Sequence, residues 1–315
     1  MQQSLSPSPS HCVINTDYLL SCGFHVVFLC LLESCNLKGK IDSEVYTVTA
    51  KSGVIVGIAA LGEKVYVVHS LASCIDEYNH VDFRLLNSLM IAGMSNPQDM
   101  ASCEKFSCLY VTDSYDDSVY RIEKTAGLCK SRKWSMADQP LGVSVSCKTA
   151  NVFVTCLYAQ KLYEFNSSGD VVQCIVLHPD ISNPHHALQV PNGKIILSHG
   201  FWSTDPLHRI CVVDSQGRSS LQYGHEPGSV TGLLNQPVHL ATCKNGFIFV
   251  ADSGNCRIEV LDSSLCSYLI SVMDSPGQMK SPHRICLDAH RGLLYAAENT
   301  LQNRIFVFKL SKLLS

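Results

Sequence analysis

The sequence is short of charge. Asp, Glu, Lys and Arg make up 16% of its 315 residues, against about 25% in an ordinary soluble domain. The 24 basic and 27 acidic residues leave a net charge of −3, so no general basic field attracts nucleic acid or anionic lipid. Glycine motifs that cradle phosphate, GxGxxG and GxxxxGK[ST], are absent. With 46% hydrophobic residues, the composition excludes a disordered chain and predicts a globular protein.

Cysteine is abundant, but it never occurs in the CxxC spacing. The 16 cysteines are scattered singly, which argues against zinc knuckles and thioredoxin-like redox motifs. Most lie in apolar runs, as Cys174 and Cys211 do. We therefore expect small buried side chains kept reduced in the cytoplasm.

The N-terminal segment differs from the rest. Residues 1–17 are rich in Ser and Pro, and residues 18–32 form an apolar run of 15 residues, short of the roughly 20 that span a bilayer. A secretory signal requires a basic segment before its apolar run, but no Lys or Arg precedes this one. We interpret residues 1–43 as a disordered or non-propeller extension of a cytoplasmic protein that makes no membrane contact. The alternative is secretion, with residues 18–32 acting as a signal.

A repeat fills the remainder of the chain. Each unit opens with a proline before a short apolar strand, and a second strand of the type found at residues 248–252 (IFVAD) follows. The spacings between successive prolines are 43, 44, 53 and 45 residues. The prolines are Pro97, Pro140, Pro184, Pro237 and Pro282. One further unit without the proline begins near Gly57, which makes six.

Strand-rich repeats of this length indicate a β-propeller. We predict an all-β fold over residues 44–315, with six four-stranded antiparallel blades and a monomeric ring. The last unit has strands near 283–288, 293–298 and 304–310, and then the chain ends. Residues 44–49 (EVYTVT) read as a strand that supplies its missing outer strand and closes the ring.

Residues 234–241, 246–252 and 255–261 together resemble an NHL repeat, and the likeness extends in weaker form over residues 44–310. The resemblance implies a six-bladed propeller used mainly as a binding platform. Such domains end tripartite-motif ubiquitin ligases and some RNA-binding translational repressors. A divergent relative, peptidyl-α-hydroxyglycine α-amidating lyase, is a zinc enzyme.

One rim of the ring should carry the polar residues. Strand entries place His185, His186, His239 and His283 near the axis. Exits of the second strands offer six further side chains at one repeat position: His69, Asp113, Cys156, His199, Asp252 and Glu298. The family pattern D-x-x-N-x-R predicts that Asp252 pairs with Arg257, and Glu298 likewise with Arg304, as scaffold.

The metal interpretation is the alternative. Equivalent positions in adjacent blades should lie about 10 Å apart, too far for one small ion, so we expect no cofactor. His69 and His283 resemble two zinc ligands of the lyase, and His239 is a third candidate. The positions that would match the lyase's remaining histidine hold Met136, Asp180 and Leu233. Zinc or calcium therefore enters only with the alternative of a divergent amidating-lyase-like enzyme.

The sequence best fits a non-catalytic platform for a protein or peptide. The loop after His199 is the longest of its kind and carries Phe201 and Trp202, which either plug the rim locally or contact a partner. We predict a binding rim formed by Trp202, Phe201, Tyr158, His185, His239 and His283, as in the recognition part of a ubiquitin-ligase-like system. The rim carries more acidic than unpaired basic residues (Lys161 and Arg284), which argues against the second alternative, an RNA-binding domain.

Overall fold

The computed structural model describes residues 43–47, 53–125, 128–202, 204–262, 265, 268–272 and 279–310. The chain divides into two compact units, Met1–Lys40 and Ile41–Ser315, and every described residue belongs to the second. Within these described ranges no helix is long and apolar enough to cross a membrane.

The described residues form six four-stranded antiparallel sheets, which are the blades. Blade 1 contains β2 (Ile55–Leu61), β3 (Lys64–His69), β4 (Cys74–Asn79) and β5 (Leu85–Met90). Blade 2 contains β6 (Pro97–Cys103), β7 (Cys108–Asp113), β8 (Ser118–Thr125) and β9 (Leu128–Ser135). Blade 3 contains β10 (Val143–Val145), β11 (Val152–Cys156), β12 (Lys161–Phe165) and β13 (Val171–Val176).

Blade 4 contains β14 (Pro184–Gln189), β15 (Ile195–His199), β16 (His208–Val213) and β17 (Ser219–His225). Blade 5 contains β18 (Pro237–Thr242), β19 (Ile248–Asp252), β20 (Arg257–Leu261) and β21 (Tyr268–Val272). Blade 6 contains β22 (Pro282–Asp288), β23 (Leu293–Glu298), β24 (Arg304–Lys309) and, from the other end, β1 (Ser43–Thr47). The predicted all-β fold of six four-stranded antiparallel blades is confirmed.

Blade-to-blade packing explains the low charge of the chain. Separate apolar clusters lie between blades 1 and 2, 2 and 3, 3 and 4, 4 and 5, and 6 and 1. The second strands are buried almost throughout, and the exposed apolar side chains include Val171, Val172 and Val176 on outer strand β13. First strands contact those of the neighbouring blades, and β22 contacts β2, so the ring is closed.

Ring closure follows the predicted route. Strand β1 pairs antiparallel with β24, in the register Ser43 with Phe308 through Thr47 with Arg304. The ring of Tyr46 also stacks on Phe83 of blade 1, with centroids 4.4 Å apart. The closing strand therefore joins both ends of the ring, as expected, and residues 48 and 49 of the predicted strand lie outside the described residues.

The cysteines only partly follow the sequence prediction. Cys103, Cys147 and Cys243 lie in blades 2, 3 and 5, and all three are free thiols. Cys211 is fully buried, but Cys174 is exposed. The expectation of burial is wrong for Cys174 because its apolar run is an outer strand, which has no neighbouring strand beyond it.

Candidate functional site

The proline that opens a repeat is followed by a β-bulge. In blades 2, 4, 5 and 6 the pairing register shifts between the proline and the second residue after it. A bulge sets two residues against one and re-aims side chains. The residue directly after each proline then faces the rim. The residue two positions after the proline lies at the axis, and with the equivalent residue of blade 1 these residues form a ring of six. We call this set the axial ring: Gly57, Asp99, Gly142, His186, His239 and Arg284.

Asp99 and Arg284 form a buried ion pair in the axial ring. Arg284 Nε lies 3.1 Å from Asp99 Oδ1, and both side chains are at most 2% exposed. The guanidinium also donates to the carbonyls of Val56 (2.7 Å), Gln98 (2.8 Å) and His283 (3.0 Å). One side chain thus joins blades 1, 2 and 6 at the axis.

This arrangement corrects the expectation for Arg284, which is a buried structural cation and not a free one on the rim. The other expected rim cation, Lys161, pairs with Asp138 at 2.7 Å. Neither offers an uncompensated positive charge to a ligand.

Two histidines approach Asp99 from other blades. Asp99 Oδ2 lies 3.4 Å from His239 Nε2 and 3.7 Å from His186 Nε2, and the two imidazole rings are 3.9 Å apart. The expected separation of about 10 Å is wrong here, because that spacing describes sheets packed face to face. Side chains at the axis of a ring converge instead.

Glycine at two axial positions makes room for this convergence. A Cβ on Gly142 would lie 2.5 Å from the carbonyl oxygen of His185 and 3.1 Å from the imidazole Cδ2 of His186. A Cβ on Gly57 would lie 2.7 Å from the Cβ of Met100. A side chain at either position would collide with its neighbours, and four of the six axial positions carry one.

Burial sets the charge of these groups. It lowers the pKa of His185 to about 3, helped by Arg284, and lowers the pKa of His186 and His283 well below the ordinary value. Burial also lowers the pKa of His239, although Asp99 opposes it. Burial alone would raise the pKa of Asp99, but Arg284 and then His239 hold it well below its usual range. At neutral pH the imidazoles are neutral, and Asp99 is ionised.

On the rim side lies a cavity of about 410 Å³, the rim pocket, with Arg284 at its floor. Four rings follow one another along its wall, and we call them the aromatic row: Trp202, Phe201, His185 and His283. Their successive centroids are 4.8, 5.1 and 5.8 Å apart. Trp202 is 47% exposed. Tyr158, 76% exposed, lines the same pocket.

The loop that carries Trp202 is held at its base. The Trp202 amide donates to Asp205 Oδ2 (2.8 Å), and its carbonyl accepts from the Nε2 of buried His208 (3.0 Å). Nδ1 of the same His208 accepts from the Gln236 amide of blade 5 (3.0 Å). His208 was not predicted as a site residue, and only its position at the end of the long loop could have indicated it.

The second-strand exits are mainly scaffold. Asp252 accepts from Arg257 Nε (2.7 Å) and from the Asn235 amide (2.6 Å). Glu298 accepts from Arg304 Nε (2.8 Å), so both predicted pairs form. Asp113 accepts backbone amides, including Ser95 N at 2.7 Å; His199 accepts from Arg209 Nε (2.8 Å), and the Cys156 thiol donates to the Asp138 carbonyl (3.8 Å).

The predicted site residues separate into two places. Trp202, Phe201, Tyr158, His185 and His283 line the rim pocket, whereas His239 lies deeper, beside a second cavity further along the first strands. His69 is buried, and its Nε2 has no hydrogen-bond partner. Among the described residues, one group of three metal-capable side chains converges: Asp99, His186 and His239. It contains neither His69 nor His283.

Asp99 was missed by the sequence analysis, although a signal was present. It stands two residues after Pro97, as His186 stands after Pro184 and His239 after Pro237. The positions compared with a third lyase histidine have other contacts, since Asp180 pairs with Arg209 at 3.0 Å.

Comparison with known proteins agrees with this architecture. Residues 234–261, which span β18 to β20, match the NHL repeat. The chain is thus a six-bladed β-propeller that contains an NHL repeat. No curated protein matches it in sequence.

Solved structures show the same fold at low identity. Hydrazine synthase of Kuenenia stuttgartiensis is 13% identical over 84% of this chain and 97% of that chain, with a TM-score of 0.61. Virginiamycin B lyase from Staphylococcus aureus is 13% identical over 85% of this chain and 88% of that chain, with a TM-score of 0.57. The PQQ-bound aldose sugar dehydrogenase from Streptomyces coelicolor is 12% identical over 85% of this chain and 98% of that chain, with a TM-score of 0.61. A synthase, a lyase and a dehydrogenase share this fold, so the fold alone assigns no reaction.

Proposed function

We propose that the chain is a binding platform whose rim pocket takes an apolar or aromatic side chain of a protein or peptide. The observation that carries the proposal is the aromatic row, which ends in a half-exposed Trp202 above the rim pocket. Binding sites for side chains are concave, mostly apolar and lined by rings. Exposed Trp residues dominate many protein interfaces.

The charge state of the pocket favours an uncharged group. His185 and His283 are neutral at physiological pH because burial lowers their pKa values, and Arg284 is neutralised by Asp99. Neither an anionic nor a cationic side chain would find an uncompensated opposite charge there. The pairing of Lys161 with Asp138 also supports a protein ligand over a nucleic acid.

The opposite wall of the pocket is preorganised. Asn96 Nδ2 donates to Ser114 Oγ (2.9 Å), Gln139 Nε2 to the Ser114 carbonyl (3.0 Å), and Gln98 Nε2 to the Asn96 carbonyl (3.2 Å). These bonds fix the amide side chains before a ligand arrives, which reduces the entropy lost on binding.

We extend the proposal to biological context through the NHL repeat. Tripartite-motif ubiquitin ligases end in propellers of this kind, so recognition of a target protein in a ubiquitin-ligase-like system is the specific form of the function that we favour. A cytoplasmic, monomeric propeller that carries its target on the rim fits this role.

Selection of random-sequence peptides on the purified chain tests the proposal directly. We expect the selected peptides to share an aromatic or apolar residue. Trp202→Ala should weaken their binding about 30-fold, equivalent to about 2 kcal/mol. Leu301→Ala is the matched control, because Leu301 is an exposed apolar residue (86%) outside the rim pocket. Selected peptides that bind the Trp202→Ala chain as tightly as the wild type would refute the proposal.

A further inference from the structure

The convergence of Asp99, His186 and His239 at the axis has the composition of a metal site. One potential ligand atom from each lies within 4.8 Å of the other two. The three residues come from first strands of blades 2, 4 and 5. We propose that they bind one divalent transition-metal ion, independently of the peptide site on the rim.

The separations suit a small ion. Metal–ligand bonds of about 2.0–2.1 Å in tetrahedral geometry place neighbouring ligand atoms about 3.4 Å apart. Asp99 Oδ2 is 3.4 Å from His239 Nε2 and 3.7 Å from His186 Nε2. These two separations are within a few tenths of an ångström of that value, and the third, between the two histidines, is at most 4.8 Å. Two imidazoles and one carboxylate suit zinc, iron or cobalt better than calcium, which prefers six or more oxygen ligands.

The carboxylate is already oriented by its neighbours. Asp99 Oδ2 accepts from the Val143 amide (2.9 Å), and Oδ1 accepts from the Met100 amide (2.9 Å) and faces Arg284 Nε (3.1 Å). Metal-binding carboxylates are commonly held in this way by surrounding donors. Oδ2, the oxygen remote from Arg284, is the one that faces both histidines.

The imidazoles have unused capacity. Nδ1 of both His239 and His186 is buried without a hydrogen-bond partner, a state that is unfavourable for polar atoms, and His239 Nε2 faces Asp99 Oδ2 at 3.4 Å. A metal would use one lone pair of His239. His186 Nε2 lies 3.2 Å from the Val143 carbonyl, so coordination through this atom exchanges that contact for the metal.

The charges predict a fourth ligand. Asp99 and Arg284 neutralise each other, so a divalent ion held by neutral imidazoles leaves two uncompensated positive charges in a buried place. A hydroxide or another small anion reduces this excess. The second cavity, about 180 Å³ and lined by His186 and His239, provides space for it. The site therefore has the character of an open metal centre.

Titration of the purified full-length chain with Co²⁺ and Zn²⁺ tests the site. Exposed cysteines such as Cys129 and Cys256 are alkylated first, because free thiolates bind both metals. We expect one equivalent of tightly bound Co²⁺, a ligand-field spectrum typical of fewer than six ligands, and a spectral change on adding azide.

His239→Ala should weaken Co²⁺ binding by at least about 100-fold and abolish the azide effect. His283→Ala is the matched control, since His283 lies on the rim side and outside the group of three; it should leave Co²⁺ binding unchanged. Thermal melts establish that both variants are folded, and His186→Ala replaces His239→Ala if the latter is not. Absence of a one-to-one complex, or binding unchanged by loss of either histidine, would overturn the proposal.

Discussion

Arg284 Nε lies 3.1 Å from Asp99 Oδ1, and this pair joins the inner strands of blades 2 and 6 at the axis. Removing one partner of a buried ion pair leaves an uncompensated charge. We expect Arg284→Met to lower the free energy of unfolding by about 3–5 kcal/mol. The double variant Asp99→Asn/Arg284→Met should recover part of that loss, because it removes the stranded carboxylate. Urea unfolding measures both, and a single-variant loss below about 1 kcal/mol would contradict the prediction.

The architecture could be predicted from the sequence because it repeats. Five prolines at similar spacing and a recurrent second strand define the blade, and the missing outer strand of blade 6 indicates the closing strand. Hydrophobic alternation and repeat length are local properties, so they are visible in a single chain.

The site could be predicted only in part. The sequence placed His185 and His283 near the axis, and they do line one pocket. It placed Arg284 on the rim and missed Asp99, because the bulge after the proline changes which side chains point inward. The repeat position of Asp99 is visible in the sequence, but bulges depend on pairing with another strand, so the sequence does not show which side chains meet at the axis.

Ring closure gives a prediction from deletions. Deleting residues 1–42 should leave a folded domain, because the pairing of β1 with β24 begins at Ser43. Deleting residues 1–50 removes β1 and exposes the edge of β24. We expect the melting temperature to fall by at least about 5 °C, corresponding to a few kcal/mol. Tyr46→Ala, which keeps β1 but loses the stack on Phe83 and the hydroxyl contact with the Val81 carbonyl (3.4 Å), should give an intermediate result. Equal melts for the two deletions would refute this account of closure.

Glu259 gives a pH-dependent prediction. It is 1% exposed and shares Arg257 Nε with Asp252, at 2.8 and 2.7 Å. Burial raises the pKa of Glu259 to about 7, Arg257 opposes the rise, and Asp252 adds to it. Because the native-state pKa lies above that of the unfolded chain, the native state binds the proton more tightly. This contribution to stability is complete below about pH 4.5 and is lost as the pH rises through 7.

Glu259→Gln isolates this effect. The difference between a pKa of about 7 and the ordinary value of 4.5 corresponds to roughly 3 kcal/mol above pH 7. The variant should therefore be more stable than the wild type near pH 8 by up to that amount and should match it near pH 4.5. Urea unfolding at both pH values provides the measurement. A variant that is less stable near pH 8 would show that the charge of Glu259 stabilises the fold.

The cysteines give a redox prediction. Cys103 and Cys108 face each other across β6 and β7, where Cα atoms of paired residues lie about 4.5–5.5 Å apart, within disulfide range. A hydrogen bond from the Cys108 thiol lowers the pKa of Cys103 to about 6. We expect free thiols in the purified protein and, under hydrogen peroxide, a Cys103–Cys108 bridge before any bridge to Cys147 or Cys243. Trypsin cuts at Lys105, so mass spectrometry identifies the linked peptides. A Cys103–Cys147 bridge would contradict the blade positions.

Trp202 and Phe201 should differ in their contribution to stability. Trp202 is 47% exposed, and its indole packs edge-on against Phe201 at 4.8 Å. Phe201 lies between Trp202 and His185 and is less exposed. We therefore expect Trp202→Ala to cost less than about 1 kcal/mol, because surface substitutions have small effects, whereas Phe201→Ala should cost more because it uncovers His185.

Melting temperatures of the two variants distinguish a binding residue from a local plug of the rim. The backbone bonds of the Trp202 amide and carbonyl to Asp205 and His208 do not depend on the indole, so the loop should keep its shape in Trp202→Ala. A melting temperature within about 2 °C of the wild type, together with weakened peptide binding, supports the binding role. If Trp202→Ala lowers the melting temperature as far as Phe201→Ala does, the indole stabilises the rim itself, and the proposed peptide contact at Trp202 is wrong.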